Sequence, residues 1–425
     1  MKNQHILIVG GGIGGLAAAL ALARAGQRAT VLERAAEFAD VGAGIQLGPN
    51  AIKVLAQWGV KAAVLQRACL PEAIAVRDAA TGRSLARMLL GQAVQQRYGE
   101  VYACVHRADL HAVLLQAVCA QSGVQMHCNE SVLSATESGA HGNRSRANAQ
   151  ADDGAAERAK EGSHNGAAPS VQVRSSGHTG HTGHTWHADA LVAADGVASS
   201  VRQAVWADGA PRATGHAAYR ALLPIASLPD SVRTHALTSE VGVWWGPGVH
   251  VVHYPVRGGE FINLVVLSEQ AAAKAVPGWA SVASSADVER SVQGACPPLR
   301  ALLACANSWH SWHLYDRPAT PSWVKGRIAL LGDAAHPMLP YLAQGAAMAL
   351  EDAAALAASV AGQSDWPAAL HHYQHLRKAR CERVVATAQR NGRIFHLAPP
   401  WSTARDAVLA LKGTQVLGMP WLYGA

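Results

Sequence analysis

Apolar and polar positions along the chain fall into distinct regimes. Residues 6–9 (ILIV) form an uninterrupted apolar run, glycines occupy positions 10, 11, 12, 14 and 15, and an Ala- and Leu-rich stretch too long for a strand runs to Arg24. Gly26 ends that stretch, a second apolar run covers 29–32, and Glu33 closes the unit. This pattern predicts strand, glycine turn, helix and strand. A glycine-rich loop (42–48) and a helix to about Trp58 follow, then a β excursion over 72–90 that turns at Thr81-Gly82. Leu110, Val113, Leu114, Ala117 and Val118 recur at helical spacing, so a helix with one buried face begins near His106.

Between 134 and 187 the apolar pattern lapses into Ser, Gly, Asn and charge, with the small repeat GHTGHTGHT. Such a segment is expected to be a flexible insertion or long hairpin tip, because it has little apolar surface to bury. His178, His181, His184 and His187 recur every third residue there, but without Cys or acidic partners they read as part of that flexible segment, and no metal is expected. Order resumes with a buried strand at 190–194 and the turn Asp195-Gly196. From 219 to 267 four β segments (YRALLPI, EVGVWWG, HVVHYPV, FINLVVL) read as antiparallel, with a glycine hairpin at 257–260. Residues 281–307 read as helical, interrupted at Pro297-Pro298. A further buried strand at 327–331 ends in Gly332-Asp333, a loop and helix follow, and 365–425 is mostly helical, with His371 and His375 as surface histidines.

The glycine turn carries the first chemical statement. Gly10, Gly12 and Gly15 fill the slots of GxGxxG directly after a strand and before a helix, with an acid at the end of the second strand. The first glycine makes the turn, the second admits a pyrophosphate, and the third lets helix and strand pack closely. The helix N-terminus offers N–H groups to phosphate, and Glu33 can accept from an adenosine ribose. The unit is therefore a Rossmann-like dinucleotide site. No second GxGxxG exists, since GAGIQLG at 42–48 lacks the spacing.

Composition narrows the setting. At 425 residues, 50% hydrophobic and 15% charged, the chain supports two structural units or one with an insertion. Seven scattered cysteines without a CxxC pair argue against a disulfide framework or zinc ribbon and for a reducing, cytoplasmic location. A net charge of +7 with 5% aromatic residues and no basic run points to anionic small ligands rather than nucleic acid. No stretch reads as a membrane span.

Three motifs stand in order: GGGIGG with Glu33, DGxxSxxR at 195–202, and LLGDAAHPMLPYLAQGAAMALEDA at 330–353. Together they resemble the single-component FAD-dependent aromatic hydroxylases, the class A flavoprotein monooxygenases. HRADL (106–110), AGIQLGPNA (43–51), HYPVRGG (253–259) and WLYG (421–424) look nearest to salicylate hydroxylase. The resemblance implies an α/β fold: a discontinuous FAD-binding domain (1–75, 100–200, 325–360), an inserted antiparallel β-sheet substrate domain (76–99, 205–320) and a C-terminal helical region (361–425). It implies FAD on Gly10, Gly12, Ile13, Gly14, Gly15, Glu33 and Arg34 at the ADP half. Gly44, Arg107, Asp195, Gly196, Gly332 and Asp333 would lie along the cofactor, and Gly345, Ala346 and Ala347 at the flavin's pyrimidine edge.

The implied chemistry is reduction of FAD by NADH or NADPH, then O2 activation as a flavin hydroperoxide that hydroxylates a small phenolic acid. Tyr219, His216 and Pro340 are the candidate catalytic residues, His216 as base or proton relay. Meta-hydroxybenzoate hydroxylases resembling this chain carry Gln at Pro340, and a hydroxynicotinate relative carries His at Gln46, which favours salicylate over both. A flavin reductase or oxidase, or a non-enzymatic flavin-binding protein, remain as alternatives. The flavin halogenase motif WxWxIP is absent. The oligomeric state stays open, a homodimer among the options.

Overall fold

The structure, a computed structural model, describes residues 3–38, 43–138, 170–177, 183–236, 239–269, 281–413 and 418–424. His178, His181 and the middle of the polar insertion lie outside them. Among the described residues no helix is long and apolar enough to cross a membrane.

A six-stranded sheet carries the glycine turn. Its order is Val324–Lys325, Ile328–Leu330, Ala190–Ala193, His5–Val9, Arg28–Leu32 and Val124–His127, parallel except at the first pair. Ile6, Leu7, Ile8, Leu191 and Val192 are fully buried, as strands covered on both faces must be. The Ile13–Arg24 helix packs along the Gly345–Gly362 helix, and at Gly14 a Cβ would already lie 3.5 Å from the Ala349 methyl. This order sets the strand ends at Val9, Ala193 and Leu330 side by side, so the three motifs share one end of the sheet.

An eight-stranded sheet runs Ser281–Ala283, Trp309–Asp316, Arg212–Pro224, Phe261–Glu269, Val249–Val256, Glu240–Gly246, Ala73–Asp78 and Ser84–Leu89. The first β segment predicted for this region is longer than its apolar core, starting at Arg212 rather than Tyr219. One face packs on the helices Asp230–Ala236, Ser285–Ser291 and Pro297–Ala304 through Val232, Val288 and Leu299. The other, which we call the near face, meets Tyr341 and Phe395 through Ala218, Val265 and Leu267. The break expected between residues 75 and 76 would cut the Ala73–Asp78 strand, which lies wholly in this sheet, while Leu90 and Val94 pack in the core of the six-stranded sheet.

The ends of the polar insertion are not loop. Ser131–Ser138, Ser170–Ser176 and Gly183–Ala188 form a three-stranded antiparallel sheet. Averaged composition hid the alternation in SVQVRSS, where Val171, Val173 and Ser175 turn inward and are fully buried. His184 has an acidic partner after all, Glu130, with Nδ1 and Oε1 2.7 Å apart.

Candidate functional site

Local geometry assigns each glycine of the first motif a separate task. Gly10 has φ +103°, and a Cβ there would sit 2.5 Å from the Ala194 carbonyl oxygen. A Cβ on Gly15 would lie 1.8 Å from the Gly10 oxygen, so helix and turn close only on glycine. Gly12 faces open space, with nothing within 4 Å of a Cβ. Gly14 packs against Leu331, and Ile13 is buried at the head of the helix. Glu33 accepts from the Gly11 N–H at 2.6 Å and the Ala35 N–H at 2.8 Å, which holds its carboxylate beside the turn, while Arg34 is exposed.

The second motif locks the third. Asp195 Oδ2 accepts from the Ser200 N–H at 2.8 Å, and Gly196 turns the chain with φ +77°. Burial pushes the Asp195 carboxyl up, against hydrogen bonds from Ser199, Val201 and Ser200. Ser199 caps the Ser200–Trp206 helix, accepting from the Arg202 N–H at 2.9 Å. Arg202 is fully buried and donates to the carbonyls of Ala334 (2.9 Å), Ala335 (3.3 Å) and Pro318 (2.8 Å), with Asp208 as its counter-ion. Its role was not legible from spacing alone.

Asp333, just after Gly332, keeps an exposed side chain, yet desolvation by the surrounding protein pushes its pKa up against the charges of His336 and Arg107. Arg107 heads the Arg107–Cys119 helix and donates its N–H to Ala43, tying that helix to the Gly44–Leu47 strand. Gly44 in turn donates to Asn263 Oδ1 at 2.6 Å, and no side chain would fit there against Tyr254 and Asn263.

The Gly345–Gly362 helix begins where the sequence places it. Met348 is the first residue bonded back into it, to the Gln344 carbonyl at 2.8 Å, so the N–H groups of Gly345, Ala346 and Ala347 have no partner within the helix. Ala347 is fully buried, and Gly345 and Ala346 are half-buried. A buried charge network orients this end. Asp352 accepts from the Gly332 N–H (3.1 Å) and Arg377 Nε (2.7 Å) and lies 2.6 Å from His336 Nε2. Burial alone would raise the Asp352 pKa, but His336 and Arg377 outweigh it and hold the carboxyl well below its usual range. Glu351 pairs with Arg377 and Arg380 and accepts from Asn50, which also donates to Gln344 at 3.0 Å.

The near face supplies a wall opposite this helix. Side chains alternate along Arg212–Pro224, so His216, Ala218 and Arg220 point one way and Tyr219 the other. Tyr219 is buried on the far face with Val266 and Trp309, and this corrects its expected place beside the reacting centre. Arg220 takes the near-face position instead, stacked 5.1 Å over Trp312 and influenced by the charge of Arg107. Its Nε is buried without a hydrogen-bond partner. The period-two pattern through His216 would have identified it. His216 Nδ1 lies 2.6 Å from the hydroxyl of Tyr341, the residue after half-buried Pro340. Burial lowers the His216 pKa against the pull of Glu269. A separate cleft of about 530 Å³ on the far face, lined by Val288, Arg300 and Trp309, touches none of the predicted site residues.

The family described as FAD binding domain matches residues 3–388. The 3-hydroxybenzoate 6-hydroxylase of Polaromonas naphthalenivorans is 36% identical over 430 residues, covering 99% of this chain and 95% of that protein. The 3-amino-4-hydroxybenzoate 2-monooxygenase PtmB3 of Streptomyces platensis is 33% identical, covering 100% and 96%. The chain belongs to the FAD-dependent aromatic hydroxylases. In fold this hydroxylase resembles a salicylate hydroxylase substrate complex, with TM-score 0.76 and 24% identity over 100% of this chain and 96% of that one.

The hydroxylase is a flavoprotein monooxygenase that uses FAD, with NAD(P)H as co-substrate. The geometry of the chain fits that cofactor. Gly12 leaves space for a pyrophosphate, the accessible Asp333 carboxylate offers acceptors to hydroxyls, and the unpartnered N–H groups at 345–347 suit an electron-rich ring edge.

Proposed function

We propose that this hydroxylase acts on a small phenolic acid of the hydroxybenzoate class. The observation that carries this reading is Arg220, a half-buried near-face residue whose Nε is buried and has no hydrogen-bond partner. A buried arginine donor left unpaired is costly, and a substrate carboxylate would satisfy it.

In this reading Gly10–Gly15, Glu33 and Arg34 hold the ADP half of FAD, Asp195, Gly196, Gly332 and Asp333 hold its middle, and Gly44 and Arg107 flank the ring. Bound FAD, reduced by NAD(P)H, supplies the oxygen chemistry. The chain must orient the phenol, shield the centre from water and accept a proton. Arg220 fixes the carboxylate. The His216 tautomer that donates Nδ1–H to Tyr341 leaves Nε2 bare, and burial keeps that ring neutral, so Nε2 can take the phenol proton and make the ring more nucleophilic. Ala218, Val265, Leu267 and Leu339 give the near face an apolar lining that excludes water. The N–H groups of residues 345–347 stabilise negative charge on the reduced ring edge.

The names of the sequence relatives favour 3-hydroxybenzoate, attacked para to its hydroxyl. Salicylate is a second reading, supported by Pro340, which places no hydrogen-bonding side chain beside the ring. We further infer a cytoplasmic enzyme, in keeping with its NAD(P)H requirement, and divide the chain into cofactor and substrate domains near the bounds expected from sequence. The test is to offer 3-hydroxybenzoate, salicylate, the other hydroxybenzoates and hydroxynicotinate and to follow NAD(P)H oxidation and products by mass and retention time. A stoichiometric dihydroxybenzoate or catechol product is expected. Hydrogen peroxide alone with every acid would overturn the reading.

A further inference from the structure

Beside Tyr341 of the third motif, three side chains from distant parts of the chain converge. One nitrogen each of His216 and His396 and a carboxylate oxygen of Glu269 all lie within 4.8 Å of one another. His216 stands on the Arg212–Pro224 strand, Glu269 ends the adjacent Phe261–Glu269 strand directly opposite it, and His396 follows the Trp366–Phe395 helix. Each imidazole has an outer partner on its other nitrogen: Tyr341 Oη lies 2.6 Å from His216 Nδ1, and His250 Nδ1 lies 2.8 Å from His396 Nε2. With those nitrogens engaged, and His396 Nδ1 2.8 Å from Glu269 Oε1, the atoms left to hold one ion are His216 Nε2, His396 Nδ1 and the Glu269 carboxylate. Outer hydrogen bonds of this kind fix the orientation of metal-binding histidines.

We propose that His216, His396 and Glu269 form a binding site for a borderline divalent cation such as Zn²⁺, and that its occupation slows the enzyme. Two imidazoles and one carboxylate are a donor set that zinc accepts, with a fourth position left for water. The Glu269 side chain is 50% exposed and gives the ion a way in from solvent. His396 Nδ1 now donates its proton to Glu269 at 2.8 Å. On metal binding that proton moves to Nε2, His396 donates to His250 Nδ1, and His250 carries its own proton on Nε2, so no net proton is lost. The second compact cluster, His336, Asp352 and Cys381, is a poorer site because the Arg377 guanidinium already contacts both Asp352 and Cys381. The slowing rests on the reading of His216 as proton acceptor, since a cation on Nε2 would occupy the lone pair. Binding does not depend on that reading.

The experiment is calorimetric titration of the FAD-loaded enzyme with Zn²⁺ at neutral pH, in wild type, Glu269→Gln and His184→Ala. The amide oxygen introduced by Glu269→Gln would still accept the His396 N–H, so the fold survives, but the anionic ligand is lost. Glu269→Gln is expected to weaken one equivalent of Zn²⁺ by about tenfold or more. His184→Ala, in the three-stranded sheet, should leave that equivalent intact. Equal isotherms in wild type and Glu269→Gln, including no binding in either, would overturn the site, as would loss of the equivalent in His184→Ala. Zn²⁺ should also slow substrate-stimulated NAD(P)H oxidation at the concentration where it binds, with the same shift in Glu269→Gln. Binding without that matched inhibition would overturn the regulatory half alone.

Discussion

Arg202 Nη1 donates to the Ala334 carbonyl at 2.9 Å, so a fully buried guanidinium joins the DGxxSxxR motif to the GDAAH segment 132 residues later. The same side chain reaches Ala335, Pro318 and Asp208. Arg202→Met should therefore leave three carbonyls short of a donor and lower stability by roughly 3 kcal/mol, the scale of a broken buried ion pair. Urea unfolding of the apoprotein measures it. A change within error would mean that Arg317, which also pairs with Asp208, suffices.

Two glycines of one turn should separate folding from cofactor binding. Gly15→Ala forces a Cβ to 1.8 Å from the Gly10 oxygen and should give insoluble or FAD-free protein. Gly12→Ala meets no protein atom within 4 Å, at φ −74°, and should change stability by about 1 kcal/mol or less. Its FAD dissociation constant should nonetheless rise, because the added methyl occupies the approach of the pyrophosphate. Flavin-fluorescence titration alongside thermal melting tests the contrast, and equal behaviour of the two variants would refute it.

Tyr219 and Arg220 are adjacent in sequence and opposite in space. Arg220→Gln should raise KM for the aromatic acid about 30-fold or more, matching loss of roughly 2 kcal/mol from a desolvated charge pair. Tyr219→Phe should leave KM within about twofold, since the side chain lies in the far-face core. Steady-state kinetics with one hydroxybenzoate decides between them, and the reverse ranking would move the substrate site.

The network behind the Gly345–Gly362 helix implies a signed pH dependence. Burial opposes the charged form of His336, but Cys381 and Asp352 outweigh it and hold its pKa well above the usual imidazole value. Its contribution to stability is therefore complete below the unfolded value of about 6.5 and lost as pH rises through the folded pKa. Asp352, with its pKa depressed, contributes above the unfolded value of about 4 and loses that contribution as pH falls. Wild type is expected to lose stability on the alkaline side, and His336→Gln should flatten that decline when unfolding midpoints are compared at mildly acidic and alkaline pH. An unchanged alkaline slope in the variant would remove His336 as its source.

Local pattern was enough for whatever depends on neighbours in sequence. The strand, glycine turn, helix and acid at 5–33 were readable because each step is set by backbone sterics and apolar run length. The Gly345 helix start and the 257–260 hairpin were readable on the same grounds. The polar insertion was misread at its ends because average composition outweighed a two-residue alternation in 170–176.

Contacts between remote segments needed the folded chain. Nothing near His216 in sequence announces Tyr341, 125 residues away, and nothing near Asp352 announces both His336 and Arg377. Tyr219 was placed by motif, whereas strand alternation and the burial of one sheet face under three helices turned it outward and Arg220 inward. The cofactor-binding turn and the family motifs were written into the chain's residue order, because these are local. Which face of the β sheet meets the site depended on packing, since alternation along a strand decides which side chains share a face but not what covers that face.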